Sequence, residues 1–387
     1  MAAGSEQVRD HNPDFLIIGG GIAGTALAYY LSKQGASSVE LVEAGGLGGG
    51  TTSACSGRAQ LIEARPLDYL SLVFKGYKMI AALAEELDCQ LEWEEPGHLT
   101  LLKDQEEWDD FEQQVACMNA VGASAEMLDL AAVKAAEPSL NSEAFIGAAL
   151  SQEGHVNIFE YCHGFANAAR RSGALIHTNS AVTGFESEGR RISCVVSGGR
   201  RISAGTVICA TGAWTARAVG LLGVDFPMRF TQAEALVSEP LPRVLNHHVG
   251  MTGFYKAVHG GQRAVTLGAG QHKNGTLVVS NAIQPISTPD TTSSHWGMPS
   301  ISNSLVKYFP GLAGVQVLRT WSAPSPFLPD SNPAIGWLPH FDNLYIAAGF
   351  HLAVPTIPLL SENIAGHVCG DPAPEILEPF SAARFYE

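Results

Sequence analysis

At 387 residues with 46% hydrophobic side chains, the chain is long enough for two domains with substantial cores. Its formal net charge of −15, with only 23 Lys and Arg spread along the sequence, argues against nucleic acid and anionic membrane surfaces, since both need basic patches. The residues before Asp14 are polar, without an apolar core or twin arginine, so a cytoplasmic location is expected, and no integral membrane segment is predicted.

The stretch DFLIIGGGIAGTALAYYL, Asp14 to Leu31, is an apolar run that breaks into glycines and resumes with helical spacing. It predicts a strand, a phosphate-binding turn and a helix. Gly19 permits the tight turn, Gly21 lets backbone approach a pyrophosphate, and Gly24 lets the helix sit close on the sheet. Ile22 and Ala23 then present the helix N-terminus to the phosphates. The alternative is that the glycines merely pack a helix on a sheet. A second strand, VELVEA, ends at Glu43 and Ala44, where a carboxylate accepts from ribose hydroxyls and repels a 2′-phosphate. Next, GGLGGGTTSACSG is a glycine and hydroxyl loop suited to wrap phosphates and an isoalloxazine. Gly50, Thr51, Thr52, Ser53 and Ala54 are its candidate contacts, with an ordinary surface loop as the alternative.

A helix is predicted from about Leu67 to Leu87, a strand from Gly97 to Leu102, and an acidic, solvated helical stretch over 103–135. The chain then returns to the nucleotide-binding part. A helix ends at Gly173, a strand and hairpin follow with Val182 facing the cofactor, and the strand of RISAGTVICATGAW runs into Ala210, Thr211 and Gly212 before Trp214. A third return is the buried strand of NLYIAAGFH, which ends at Gly349 and leads into His351, Leu352 and Ala353. Between these returns, residues 226–317 alternate in strand fashion through QAEALVS, GFYKAVHG and AVTLGAG. The fold class is therefore α/β: a Rossmann-type domain from the discontinuous segments 12–92, 151–225 and 318–380, with a mainly antiparallel α+β substrate domain from 93–150 and 226–317. The active site is expected in the crevice between them.

The seven cysteines are scattered and lack a Cys-x-x-Cys pair, which predicts reduced, packed thiols, Cys55 alone lying near the cofactor. No metal site is expected, because the thirteen histidines form no metalloprotease-type pair, and no Gly-x-Ser-x-Gly elbow marks a hydrolase.

The N-terminal GGGIAG with Glu43, the loop GGGTTSACSG, CATGAW, RTWSAPSPFLPDSNPAIG and NLYIAAGFH together resemble, in order and spacing, the D-amino-acid oxidase-like flavoenzymes. The resemblance spans nearly the whole chain and is strongest to the family's complex-forming flavin subunits. It implies FAD as cofactor, held in part by the C-terminal return. It also implies an amine or amino-acid substrate, and oxygen or a partner redox subunit as electron acceptor, the latter in a hetero-oligomer. Relatives acting on simple amino acids commonly carry an arginine that forks onto the substrate carboxylate. Here Ser325 stands in its place, which enlarges the pocket for a bulkier substrate.

The expected activity is FAD-dependent oxidation of a C–N bond in an amino acid, secondary amine or opine-like compound, giving an imine. Such chemistry requires a free amine with its α-hydrogen aimed at the flavin. His351, Tyr255 and Arg58 are the candidate catalytic or substrate-contacting residues. Arg58 follows the flavin-wrapping loop and has a salt bridge to Glu63 or another local acid as its alternative role. Tyr255 lies on the GFYKAVHG strand with His259 on the same face. His351 follows the strand that delivers backbone to the flavin. Two other readings stay open: a non-catalytic or electron-relay flavin subunit, and a 2-hydroxy acid oxidase using a histidine as base.

Overall fold

A parallel strand covered on both faces needs a mostly apolar run, and four segments of the chain provide one, Glu40 being the buried charge among them. In the computed structural model, which describes residues 12–253 and 261–386, these become Phe15–Ile18, Val39–Val42, Thr206–Cys209 and Leu344–Ala348, almost wholly buried. With Leu175–His177 they form the parallel part of a six-stranded sheet, and Ala334–Trp337 runs antiparallel at one edge. The order across the sheet is 334–337, 344–348, 206–209, 15–18, 39–42, 175–177. Helices Ile22–Lys33, Ile158–Arg171 and Ala353–Val368 cover one face and share its core with helix Leu67–Glu86. A second core, including Leu16, Val207 and Ile346, lies on the other face, where the meander 182–202 packs.

The second sheet has eight strands, in the order 317–327, 229–238, 277–286, 264–271, 248–251, 98–102, 147–151, 125–129. Its neighbours are antiparallel except His98–Leu102 beside His248–Met251, the parallel pair that joins the two sequence regions. Helix Gly297–Tyr308 covers one side through Ile301, Leu305 and Tyr308.

Three features depart from expectation. Strand Ala125–Asp129 interrupts the stretch expected to be helical over 103–135: its residues AEMLD suit a helix locally, and pairing with Gly147–Ser151 at the sheet edge overrides that preference. Helix Gly297–Tyr308 lies within a region expected to be strands and turns. Residues 318–327, expected with the nucleotide-binding part, instead pair with Arg229–Ser238 in the eight-stranded sheet. That strand is outermost, where Pro324 and Pro326, which lack an N–H to donate, are tolerated.

Candidate active site

The first turn is fixed by contacts that leave no room for side chains. Gly19 has φ +111, and a Cβ there would lie 2.5 Å from the Ala210 carbonyl oxygen. A Cβ on Gly24 would lie 1.9 Å from the Gly19 carbonyl oxygen. Helix Ile22–Lys33 therefore starts directly above the sheet, and it starts without a side-chain cap of its own at Gly21. Thr52 Oγ1 accepts from the Ile22 amide at 3.1 Å. Glu43, at the end of the second strand, accepts from the amides of Gly20 at 2.6 Å and Gly45 at 2.7 Å, which shapes the turn and fixes the carboxylate.

The glycine and hydroxyl loop holds a short helix, Thr51–Ala54. The outermost strand of the second sheet clamps it: Thr51 Oγ1 donates to the Pro324 carbonyl at 2.9 Å, and Trp321 Nε1 donates to the Ala54 carbonyl at 3.0 Å. Trp214 lies so close over Gly50 that a Cβ there would be 2.9 Å from the ring.

Between the two sheets lies a cavity of about 950 Å³. From the first sheet it is lined by Gly19, Gly21, Ile22, Ala23, Glu43 and Ala44, then by Gly50, Thr51, Thr52 and Ala54. Val182, Ala210, Thr211, Gly212, Trp214, Gly349, Leu352 and Ala353 complete that side. The second sheet contributes Gly250, Leu267, Gly268, Asn281, Ala323 and Ser325.

The polar groups of the cavity gather around Arg58. Its guanidinium donates to Glu153 at 2.8 Å, and the Glu153 side chain is 1% exposed. The other oxygen of Glu153 accepts from the amides of Leu61 and Ile62, both at 2.9 Å. A two-residue bridge, Arg58–Ala59 against Gly154–His155, completes the attachment. His98, also buried, places Nδ1 3.7 Å from Glu153 and 3.3 Å from Thr100 Oγ1. Burial, and then the Arg58 charge, hold its pKa well below the usual histidine range, so the ring is neutral. Glu63 lines the same cavity, and burial pushes its carboxyl up to about 7, with Glu153 adding to the rise while Arg58 and Arg65 oppose it. Cys55 is exposed and lines the cavity, and the protein packed around it raises its thiol pKa by desolvation, which disfavours a thiolate.

Gly24 and Ser53 sit behind the cavity wall, Gly24 against the turn and Ser53 with its hydroxyl donating to the Gly50 carbonyl. His351 is the larger departure. Phe350 and Leu352 line the cavity but His351 does not: its ring lies beside Phe327, 5.6 Å between ring centres, and its carbonyl accepts from Tyr69 Oη. Tyr255 and His259 lie outside the described residues. Among the described residues no helix is long and apolar enough to cross a membrane, and no cluster suits a metal ion. The sequence does not reveal His98 or Glu153, and it offers Glu63 only as a local salt-bridge partner for Arg58, a place that Glu153 takes instead. His98 was absorbed into a strand pattern, and Glu153 joins the site across 95 residues with no local signal.

A helix that starts over a glycine turn and opens into a cavity closed by a second sheet has the arrangement of a dinucleotide-binding protein. The family model described as FAD dependent oxidoreductase matches residues 14–366, and the chain belongs to that family. It is similar to hydrogen cyanide synthase subunit HcnC of Pseudomonas protegens, 24% identical over 96% of each chain. It is similar to glycine oxidase of Geobacillus kaustophilus at 26% identity over 97% of each. Among solved structures, L-proline dehydrogenase from P. horikoshii superposes with a TM-score of 0.86 at 25% identity, covering 97% of this chain and 98% of that one. The residues present fit FAD: the cavity has dinucleotide size, helix Ile22–Lys33 opens onto it from the glycine turn with no side chain at its Gly21 cap, and Glu43 ends the second strand at its wall.

Proposed function

We propose that this FAD-dependent oxidoreductase oxidises the C–N bond of an amino acid, secondary amine or opine-like compound, giving an imine. The observation that carries this reading is the single cavity joining the glycine turn to a polar end built from Arg58, Glu63 and His98. When bound, FAD supplies the hydride acceptor for the substrate carbon that bears nitrogen. In this reading Gly19, Gly21, Ile22 and Ala23 hold the pyrophosphate, Glu43 the ribose, and the six-stranded sheet carries the cofactor. Thr51, Thr52 and Ala54 lie along the flavin, while Ser325 and the eight-stranded sheet shape the substrate end. Arg58 orients an acidic substrate group, its geometry fixed by Glu153.

The relatives' names support amine chemistry, glycine and proline being amino acids, one primary and one secondary at nitrogen. That another similar protein is named as a subunit of a synthase supports a partner protein as electron acceptor. The test is the flavin absorption of the purified protein, followed anaerobically while D- and L-amino acids, N-alkyl amino acids, proline analogues, opines and hydroxy acids are added. Bleaching by an amine class supports the proposal. Bleaching by hydroxy acids alone, or by no compound in the panel, overturns it.

A further inference from the structure

Three carboxylates line the cavity among the described residues, and two of them are satisfied. Glu43 accepts from the Gly20 and Gly45 amides, and Glu234 from the Ser294 amide and hydroxyl. Glu63 differs, because its Oε2 is buried and accepts from no described group. Nor are the cations nearby free to compensate it. Arg58 is turned to Glu153, and Arg65 forks onto Asp110 at 2.7 and 2.8 Å. His98, lining the same wall, is neutral. With Arg58 paired to Glu153, Glu63 in its ionised form leaves the polar end of the cavity with a negative charge that no described donor meets. A buried carboxylate without a donor is costly, and a ligand that brings N–H donors and a positive charge relieves the cost.

Building on the amine reading above, we infer that Glu63 receives the ammonium group of the substrate and takes its proton, so that the site selects cationic secondary amines. The substrate enters as an ammonium ion. One N–H bond breaks and its proton passes to a Glu63 oxygen, giving a neutral amine and a carboxylic acid. The nitrogen lone pair then forms the C=N bond as the adjacent C–H leaves with its electron pair, as hydride, to the bound flavin. The proton on Glu63 returns to water when product leaves. The charged groups acting on Glu63 are Arg58 and Arg65, which favour its ionised form, and Glu153, which opposes it. Burial outweighs them and keeps the carboxyl a better proton acceptor than an ordinary glutamate.

The experiment uses the flavin-loaded protein, with Glu63→Gln and Glu63→Asp, and reads binding as well as turnover. Two ligands that cannot be oxidised to an imine, N,N,N-trimethylglycine and its neutral-carbon isostere 3,3-dimethylbutanoate, are titrated from pH 5.5 to 9 by their perturbation of the flavin spectrum. The wild type should prefer the cationic ligand, and the preference should grow as pH rises through about 7. Glu63→Gln should reduce that preference at least tenfold at pH 8, and Glu63→Asp should restore part of it. With an oxidisable amine, Glu63→Gln should slow flavin reduction by roughly 10²-fold and lose the inflection near neutrality. An unchanged cation preference and pH profile in Glu63→Gln overturns the inference. If no amine reduces the wild-type flavin, the amine reading fails separately, and the binding comparison still decides whether Glu63 holds a cation. If Glu63→Gln fails to retain flavin, wild-type binding decides: a pH-independent cation preference overturns the role of Glu63, and an inflection near 7 supports it.

Discussion

Arg58 and Glu153 meet at 2.8 Å across the wall of the cavity, and the carboxylate that holds the guanidinium also holds the backbone of the two residues Leu61 and Ile62. One side chain thus fixes both a charge and the course of the segment that leads from the short loop helix to Glu63. Removing it exposes three donors at once.

Glu153→Ala should lower the unfolding free energy by about 3 kcal/mol, because an unpaired arginine and two amides are left in a dry wall. Glu153→Gln keeps an oxygen for the amides and should lose less. Urea unfolding of flavin-free protein measures both, and equal losses would show that the amides contribute nothing.

Gly24→Ala should abolish the close approach of helix to turn, since its Cβ would fall 1.9 Å from the Gly19 carbonyl oxygen. The expected result is protein with little bound flavin and a stability loss on the order of 3 kcal/mol. Full flavin content, read from the ratio of flavin to protein absorbance, would contradict it.

Glu43→Ala removes the acceptor for the Gly20 and Gly45 amides and, on the proposed reading, the carboxylate that would receive the ribose. FAD affinity should fall by roughly 10²-fold, about 2.7 kcal/mol. Quenching of FAD fluorescence on titration with apoprotein gives the constant directly.

Ser325→Arg restores a fork-shaped cation to a cavity-lining position. The variant should lower KM for small amino acids by roughly tenfold, about 1.4 kcal/mol, relative to amines lacking a carboxylate. Steady-state kinetics on a matched amine and amino-acid pair tests it, and parallel changes in both would discount carboxylate recognition.

Acid should destabilise the second sheet through His155 and His248, whose rings share one hydrogen bond at 2.9 Å. Burial holds both below the usual range, His155 at about 3. Folded protein therefore binds fewer protons than unfolded chain, so stability is complete above the unfolded pKa near 6.5 and falls as pH drops from there toward about 3. Each ring adds a slope of up to about 1.4 kcal/mol per pH unit. Chemical unfolding at pH 7.5 and 5.5 should show the fall, and His155→Asn should flatten it.

The parts of the site that were legible in the sequence are those whose causes are local. Gly19 and Gly24 act within one turn, and Glu43 ends the strand it begins on, so spacing alone placed them. Arg58 was legible from its place after the glycine loop, but its partner Glu153 and neighbour His98 were not, because an ion pair spanning 95 residues leaves no mark on either segment. The direction of the His351 ring was not legible either: neighbouring residues on an irregular turn point in different directions, and its ring packs beside Phe327 while Phe350 and Leu352 line the cavity. Strand 317–327 was misplaced because its sequence reports that it is extended, not which sheet it joins.

The order of the six-stranded sheet sets a timetable for synthesis. Thr206–Cys209 acquires its outer neighbour only from Leu344–Ala348, and that strand in turn is bordered by Ala334–Trp337. While the strands of the eight-stranded sheet from 229 to 327 are being translated, the nascent chain carries an apolar strand with an open edge, a template for wrong pairing. Shortening the gene from its 3′ end should therefore yield insoluble protein rather than a smaller flavin-binding unit.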